Sequence, residues 1–286
     1  MQQQNFLVYI AWGTHIPLAE KSARSFMNHN RELIHECILM IPDIKGPDNS
    51  EHYSKDESSP FTDIQLVTST AGWHLKKPQI LRQFLKEKHA SSGFCLFVDN
   101  DTICHKPLHS FLDISKRFPV AAAIAPHYKL DSYAGSHIPK VFPEFFKHAQ
   151  GLTCYNTGVI LLQLKSQDVQ ALINKWCAFS ERGSVVDQHD QGYFSLACYA
   201  LGISPYPLIP NFNHRSRGPC FGEVYIHHSY NELHPRKTLI YPGLLYNDSP
   251  NAPPISMTFL QDIRVIFVLR ILEVIYNRFG LKKKNR

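Results

Sequence analysis

The chain has 286 residues, 44% of them hydrophobic and 19% charged, with a formal net charge of +6. That length and apolar content suit one large domain with a sizeable core. Residues 264–286 hold Arg264, Arg270, Arg278, Lys282, Lys283, Lys284 and Arg286 against Glu273, so this tail carries the whole net charge and the remainder is neutral. A basic groove for nucleic acid is therefore not indicated. No apolar run reaches transmembrane length. The seven cysteines contain no Cys-x-x-Cys pair, which argues against a disulfide or zinc framework and suggests reduced thiols in a cytoplasmic setting.

Taken in chain order, Phe6–Ala11 is an apolar run that reads as a first strand rather than the core of a signal peptide. Pro17 suits the first turn of a helix running to Asn28. Glu36–Ile41 reads as a second strand, stopped by Pro42, and the polar stretch Lys45–Pro60 as a long surface loop. Ile64–Thr68 is a third strand, Pro78–Glu87 a helix, and Phe94–Val98 a buried strand. Val120–Ala125 follows as another buried strand.

Residues 127–150, rich in Tyr, His, Phe and Pro, read as a site loop with a short helix at 143–149. Asn156–Leu164 is strand-like. The periodicity of Val169, Leu172, Ile173, Trp176 and Phe179 predicts a helix over 167–180. A further helix over 188–201 ends at Gly202. Ser204–Ile209 leads to a strand near Pro210–Asn213, and Glu223–His228 is a last short strand. Alternating strands and helices predict an α/β fold with a mainly parallel sheet covered on both faces. Thr258–Phe279 is different: it is helical by composition and apolar over most of its circumference. Residues 1–250 thus read as the main domain and 251–286 as an amphipathic helix with a basic tail.

The chemistry is concentrated at Asp99-Asn100-Asp101, where the strand Phe94–Val98 ends. Side chains alternate along a strand, so Asp99 and Asp101 face the same way. Two adjacent carboxylates repel unless a positive charge lies between them, and a divalent cation with oxygen ligands meets that need. Open α/β sheets place ligands at the carboxyl ends of their strands. A polar turn is the competing explanation.

Further along come Tyr155-Asn-Thr-Gly-Val-Ile-Leu-Leu162, Asp190-Gln191, the run Leu-Ile-Pro-Asn-Phe-Asn at 208–213, and Ile226-His227-His228. In this order, over about residues 6–237, the chain resembles the GT-A (Rossmann-like) nucleotide-sugar glycosyltransferases. The closest likeness is to the retaining, family 8-like type exemplified by glycogenin and bacterial lipooligosaccharide galactosyltransferases. The resemblance implies that Asp99 and Asp101 bind Mn2+ or Mg2+, which bridges the diphosphate of a donor, a UDP-sugar by family likeness. His228, with His227 second, is the implied third metal ligand. Asp190, Gln191 and Asn156 are implied near the transferred sugar, with Asp190 preferred over Asp187. Ala11 and Thr14 are implied at the nucleoside. Lys77, Arg82, Asn100, Gly158, His234, Arg236 and Lys237 are implied at the donor.

The chain departs from the family where Asn231 replaces a glycine and His234 a lysine, so Arg236 or Lys237 is left to supply the charge near phosphate. The expected activity is transfer of a sugar to a hydroxyl acceptor, a glycan or glycolipid. The tail at 258–286 suggests peripheral attachment to the inner face of an anionic membrane, against packing on the domain or on a partner copy. An inverting transferase with Asp190 or Asp187 as general base, and a catalytically silent nucleotide-sugar or metal-binding protein, remain the alternatives.

Overall fold

The computed structural model describes residues 3–43, 58–68, 76–88, 91–130, 137–146, 152–183, 190–215 and 223–228. The expectations for residues 44–57, for Asp187, His234, Arg236 and Lys237, and for the segment 251–286 lie outside the described residues.

The architecture is α/β, with a mostly parallel central sheet flanked by helices. Its strands are β1 (Phe6–Ile10), β2 (Glu36–Asp43), β3 (Asp63–Thr68), β4 (Phe94–Val98), β6 (Val120–Lys129), β7 (Thr153–Gln163) and β8 (Tyr206–Leu208), in the order β3-β2-β1-β4-β7-β6-β8. The first four run parallel. β7 is antiparallel to both of its neighbours, and β8 is parallel to β6. A small second sheet joins β5 (Thr102–Cys104), β10 (Ile226–His228) and β9 (His214–Arg215).

The central strands are apolar without alternation because both of their faces are buried. In β1, Phe6, Val8 and Ile10 face a layer made by α2 (Lys76–Lys88), α6 (Gln167–Gly183) and α7 (Asp190–Ala200). Leu7 and Tyr9 face the opposite layer, with α1 (Ile16–Asn30) and α3 (Ser110–Arg117). Helix α1 buries Ile16, Ala19, Ser22, Ala23, Phe26 and Asn30, the three-and-four spacing of one helical face. The six cysteines among the described residues are buried free thiols. Among the described residues, no helix is long and apolar enough to cross a membrane.

Several expected boundaries shift. β2 runs through Pro42 to Asp43, with Pro42 opposite Val67 of β3. Met40 O accepts from Ala11 N, so Met40 and, two residues on, Pro42 turn their backbone toward β1. β1 has ended there, so the missing proline N–H breaks no ladder bond. Residues 210–213, expected as a strand, form a 3-10 turn at Pro210–Phe212, for which proline is suited. Between Ala125 and Pro143 the chain continues β6 to Lys129 and adds a short helix, α4 (His137–Val141), before α5 (Pro143–Phe146). β5 and α3 were not foreseen.

A buried chain of hydroxyls ties α1 to the end of β4. Tyr9 Oη lies 2.8 Å from Ser22 Oγ, which lies 2.8 Å from Thr102 Oγ1. Thr102 Oγ1 donates to Asp99 O at 2.8 Å. That last bond sets the direction of the others: Tyr9 donates to Ser22, and Ser22 to Thr102. Burial raises the Tyr9 phenol well above its ordinary range, keeping it a donor. Ser22→Ala is expected to cost about 1–3 kcal/mol, because it strands the Tyr9 hydroxyl without an acceptor. Urea denaturation of both proteins measures this, and equal stabilities would dismiss the chain as a structural tie.

Candidate metal and donor site

β4 delivers Asp99 to the edge of the core. Its last residue, Val98, pairs with Val159 of the antiparallel β7, and Asp99 N donates to Gly158 O at 2.8 Å. This register sets Asn156-Thr157-Gly158 against Asp99-Asn100-Asp101, although more than fifty residues separate them in sequence. The chain then turns back into β5, where Thr102 lies opposite His228 of the antiparallel β10.

Strand alternation in β10 settles which histidine meets the carboxylates. His228 Nε2 lies 3.6 Å from Asp99 Oδ2 and 3.5 Å from Asp101 Oδ1. Ligand atoms of Asp99, Asp101 and His228 all fall within 4.8 Å of one another. His227 is paired in register with His214 and packs among His214 and His105, with ring centroids 5.7 and 6.4 Å away. Two carboxylate oxygens and one imidazole nitrogen are a donor set that could hold a divalent cation.

Lys77 stands in the first turn of α2, where the helix dipole disfavours a cation. Its Nζ nevertheless lies 2.8 Å from Asp99 Oδ1 and 3.1 Å from Asp190 Oδ2. Burial pulls its pKa down, but the Asp190 and Asp99 carboxylates outweigh burial and hold it above its ordinary value. The ammonium also sits 5.1 Å from the centre of the Phe97 ring. Asp99 thus gives one oxygen to Lys77 and turns the other to His228. Asp190 opens α7. Its carboxylate accepts from Thr157 Oγ1 at 3.1 Å, and its carbonyl accepts from Trp176 Nε1 at 3.0 Å.

Asn156 and Gln191, both implied near the transferred sugar, meet each other in the interior. They are 3% and 6% exposed. Asn156 Oδ1 accepts from Gly158 N at 2.9 Å and from Asn213 Nδ2 at 2.8 Å, and Asn156 Nδ2 donates to Gln191 Oε1 at 2.9 Å. Asn156 therefore holds its neighbours in place rather than offering a free amide to sugar hydroxyls. Gly158 was expected to admit a ligand, yet the space beside it is filled by His228, whose ring a Cβ at Gly158 would overlap.

Asn100 Nδ2 donates to Ile10 O at 3.0 Å, pinning the turn to the end of β1. Its Oδ1 is buried and has no hydrogen-bond partner among the described residues. Ala11 is buried behind Ile10, and Thr14 is exposed in the 3-10 turn Gly13–His15. Arg82 is five residues beyond Lys77, so the helix turns it about 140° away. It lies toward α6, where it acts on the Cys177 thiol. Thr157 and Asn213 are site residues not assigned from the sequence. Asn213 stands in the 208–213 run that carried the resemblance, and that run was the available signal.

No protein-family model matches the chain, and no curated protein matches it.

Two predictions arise here. Gly158→Ala must displace the His228 ring; if Asp99, Asp101 and His228 hold a divalent cation, its affinity is expected to fall about 10–100-fold, the effect typical of disturbing a ligand's support. Isothermal titration measures it, and unchanged affinity would remove His228 from the ligand set. The second concerns acid. Burial, with help from neighbouring histidines, pushes His214 from 6.5 down to about 4 and His227 to about 3. Below pH 6.5 the unfolded chain binds protons that these folded rings refuse, so stability present above that pH is lost as pH falls toward 4. Each ring contributes a slope of up to about 1.4 kcal/mol per pH unit. Urea titrations between pH 6.5 and 5 should show the slope, and His214→Gln should reduce it; identical slopes would exclude His214 as a cause.

Proposed function

We propose that this protein is a metal-dependent glycosyltransferase of the GT-A type, transferring a sugar from a nucleotide-diphosphate donor, a UDP-sugar by family likeness, to a hydroxyl acceptor with retention. The observation that carries this reading is the convergence of Asp99, Asp101 and His228 at the carboxyl end of β4. Lys77 and Asp190 stand immediately beside them. Asp99, Asp101 and His228 would hold Mn2+, which when bound supplies Lewis-acid neutralisation of the departing diphosphate.

The chain's own residues do the remaining work. Lys77 fixes the distance between Asp99, on the metal side, and Asp190, on the sugar side. Asp190 places negative charge where the sugar ring becomes electron-poor. Thr157 and Lys77 occupy its Oδ2, which favours charge stabilisation over proton abstraction by Asp190. Gln191 and Asn156 set the wall between the sheet and α7. The acceptor is proposed, from the resemblance, to be a glycan or glycolipid.

A thermal-shift screen of nucleotide sugars with and without Mn2+ tests the reading. A donor at 100 times its Kd is expected to add about 2.7 kcal/mol of stability, and only when the metal is present. Asp101→Ala should remove that metal-dependent gain and abolish release of the nucleoside diphosphate. Donor binding and turnover that ignore both Mn2+ and Asp101→Ala would sink the proposal. Metal-dependent donor binding without any release on a panel of acceptors would favour a silent binding protein instead.

A further inference from the structure

One backbone amide orients the side chains that lie between the sheet and His228. The Gly158 N–H can only donate, so the Asn156 atom 2.9 Å from it is the oxygen Oδ1. The same oxygen meets Asn213 at 2.8 Å, so the Asn213 atom there is the donor Nδ2. Asn213 must then turn Oδ1, which can only accept, toward His228 Nδ1 at 2.7 Å. The proton of the neutral ring therefore sits on Nδ1. Nε2 is left with a bare lone pair, on the side where Asp99 and Asp101 lie 3.6 and 3.5 Å away. Reversing either amide would set like groups against each other. Asn156, Asn213 and His228 are 3%, 7% and 4% exposed, so little water is at hand to satisfy the misplaced atoms. The relay has a second branch, since Asn156 Nδ2 donates to Gln191 Oε1 at 2.9 Å and orients that amide as well.

We propose that Asn213 is a positioning residue that, anchored through Asn156 on the Gly158 N–H, locks His228 in its Nδ1–H tautomer and presents Nε2 as the metal-binding atom. The inference rests on the metal-site reading for what Nε2 binds, but not for the tautomer itself. In a histidine ligand, the hydrogen bond made by one ring nitrogen decides which nitrogen is free for the metal. Here that decision is made by a side chain more than ten residues away from His228 in sequence, and it is passed on from a strand of the main sheet. Gln191 and the metal ligand share one anchor, so a disturbance at Asn156 reaches both.

The test is nitrogen NMR of the full-length chain with labelled histidine, recorded at alkaline pH where the imidazoles are neutral, with His228 assigned by the signal lost in His228→Gln. Wild type is expected to carry the His228 proton on Nδ1. Asn213→Asp loses the donor to Asn156 Oδ1 but keeps an acceptor toward His228 Nδ1, and should keep that tautomer. Asn213→Leu removes the acceptor at similar size, and should lose the tautomer and weaken Mn2+ binding, followed by electron paramagnetic resonance, about 10–100-fold. A wild-type His228 protonated on Nε2 overturns the proposal, as does an Asn213→Leu protein with unchanged tautomer and Mn2+ affinity. A wild-type chain with the expected tautomer that binds no Mn2+ upholds the relay and overturns the metal-site reading instead.

Discussion

Three carboxylates, those of Asp99, Asp101 and Asp190, are gathered at one mouth of the sheet, and their mutual repulsion is the constraint on which the local structure depends. At the distances found, like charges a few ångströms apart in a partly desolvated site repel by several times their energy in water. Lys77 meets two of the three, lying between Asp99 and Asp190. Asp101 and the second oxygen of Asp99 are left facing His228. The arrangement is thus balanced on the sheet side by the Lys77 ammonium and faced on the other side by the His228 imidazole. Lys77 stands at a helix end that disfavours it, which is the sign of a charge placed for its partners rather than for its helix.

The sheet topology produces this meeting. β4 is where the parallel half of the sheet joins the antiparallel strand β7. At that junction the carboxyl end of β4 faces the early part of β7, so a backbone turn and a glycine-containing segment come into contact although more than fifty residues separate them in sequence. The small sheet then folds His228 over the same point. Gly158 is required there because the imidazole occupies the space a side chain would need. The hydroxyl chain from Tyr9 through Ser22 to Thr102 fixes the turn from the opposite face. The carboxylates are therefore held by elements from both helical layers, a rigidity that a site needing sub-ångström placement requires.

Much of the fold was legible before any tertiary contact was known, and the reasons differ from element to element. β4 was read with its boundaries intact because five apolar residues end abruptly in three polar ones. Helix α6 was legible because its buried face repeats at three and four residues. β5 was missed because three residues carry no periodicity, and its strand character exists only through pairing with β10. The 210–213 segment was misread because an apolar, proline-led run looks alike in a short strand and in a 3-10 turn. At the site, Asp99 and Asp101 could be named because two carboxylates so close at the end of an apolar strand are unusual, whereas Asp190 and His228 were named only through the resemblance. Thr157 and Asn213 were not, since a neutral hydroxyl or amide has no distinctive pattern until its partners are in place.

The sequence by itself determined the alternation of elements, the two-sided burial of the central strands and the end of β4 as the place where charge collects. These follow from local hydrophobicity and from the cost of burying carboxylates, which any stretch of chain carries with it. Tertiary structure alone decided that His228 rather than His227 faces the carboxylates, through the register of β10 on β5. It also decided that Lys77 bridges Asp99 and Asp190 while Arg82 points away, and that Asn156 serves the protein interior. Those outcomes depend on register and on hydrogen-bond direction. A one-residue change in register exchanges the two faces of a strand, and no single segment encodes which face its neighbour will present.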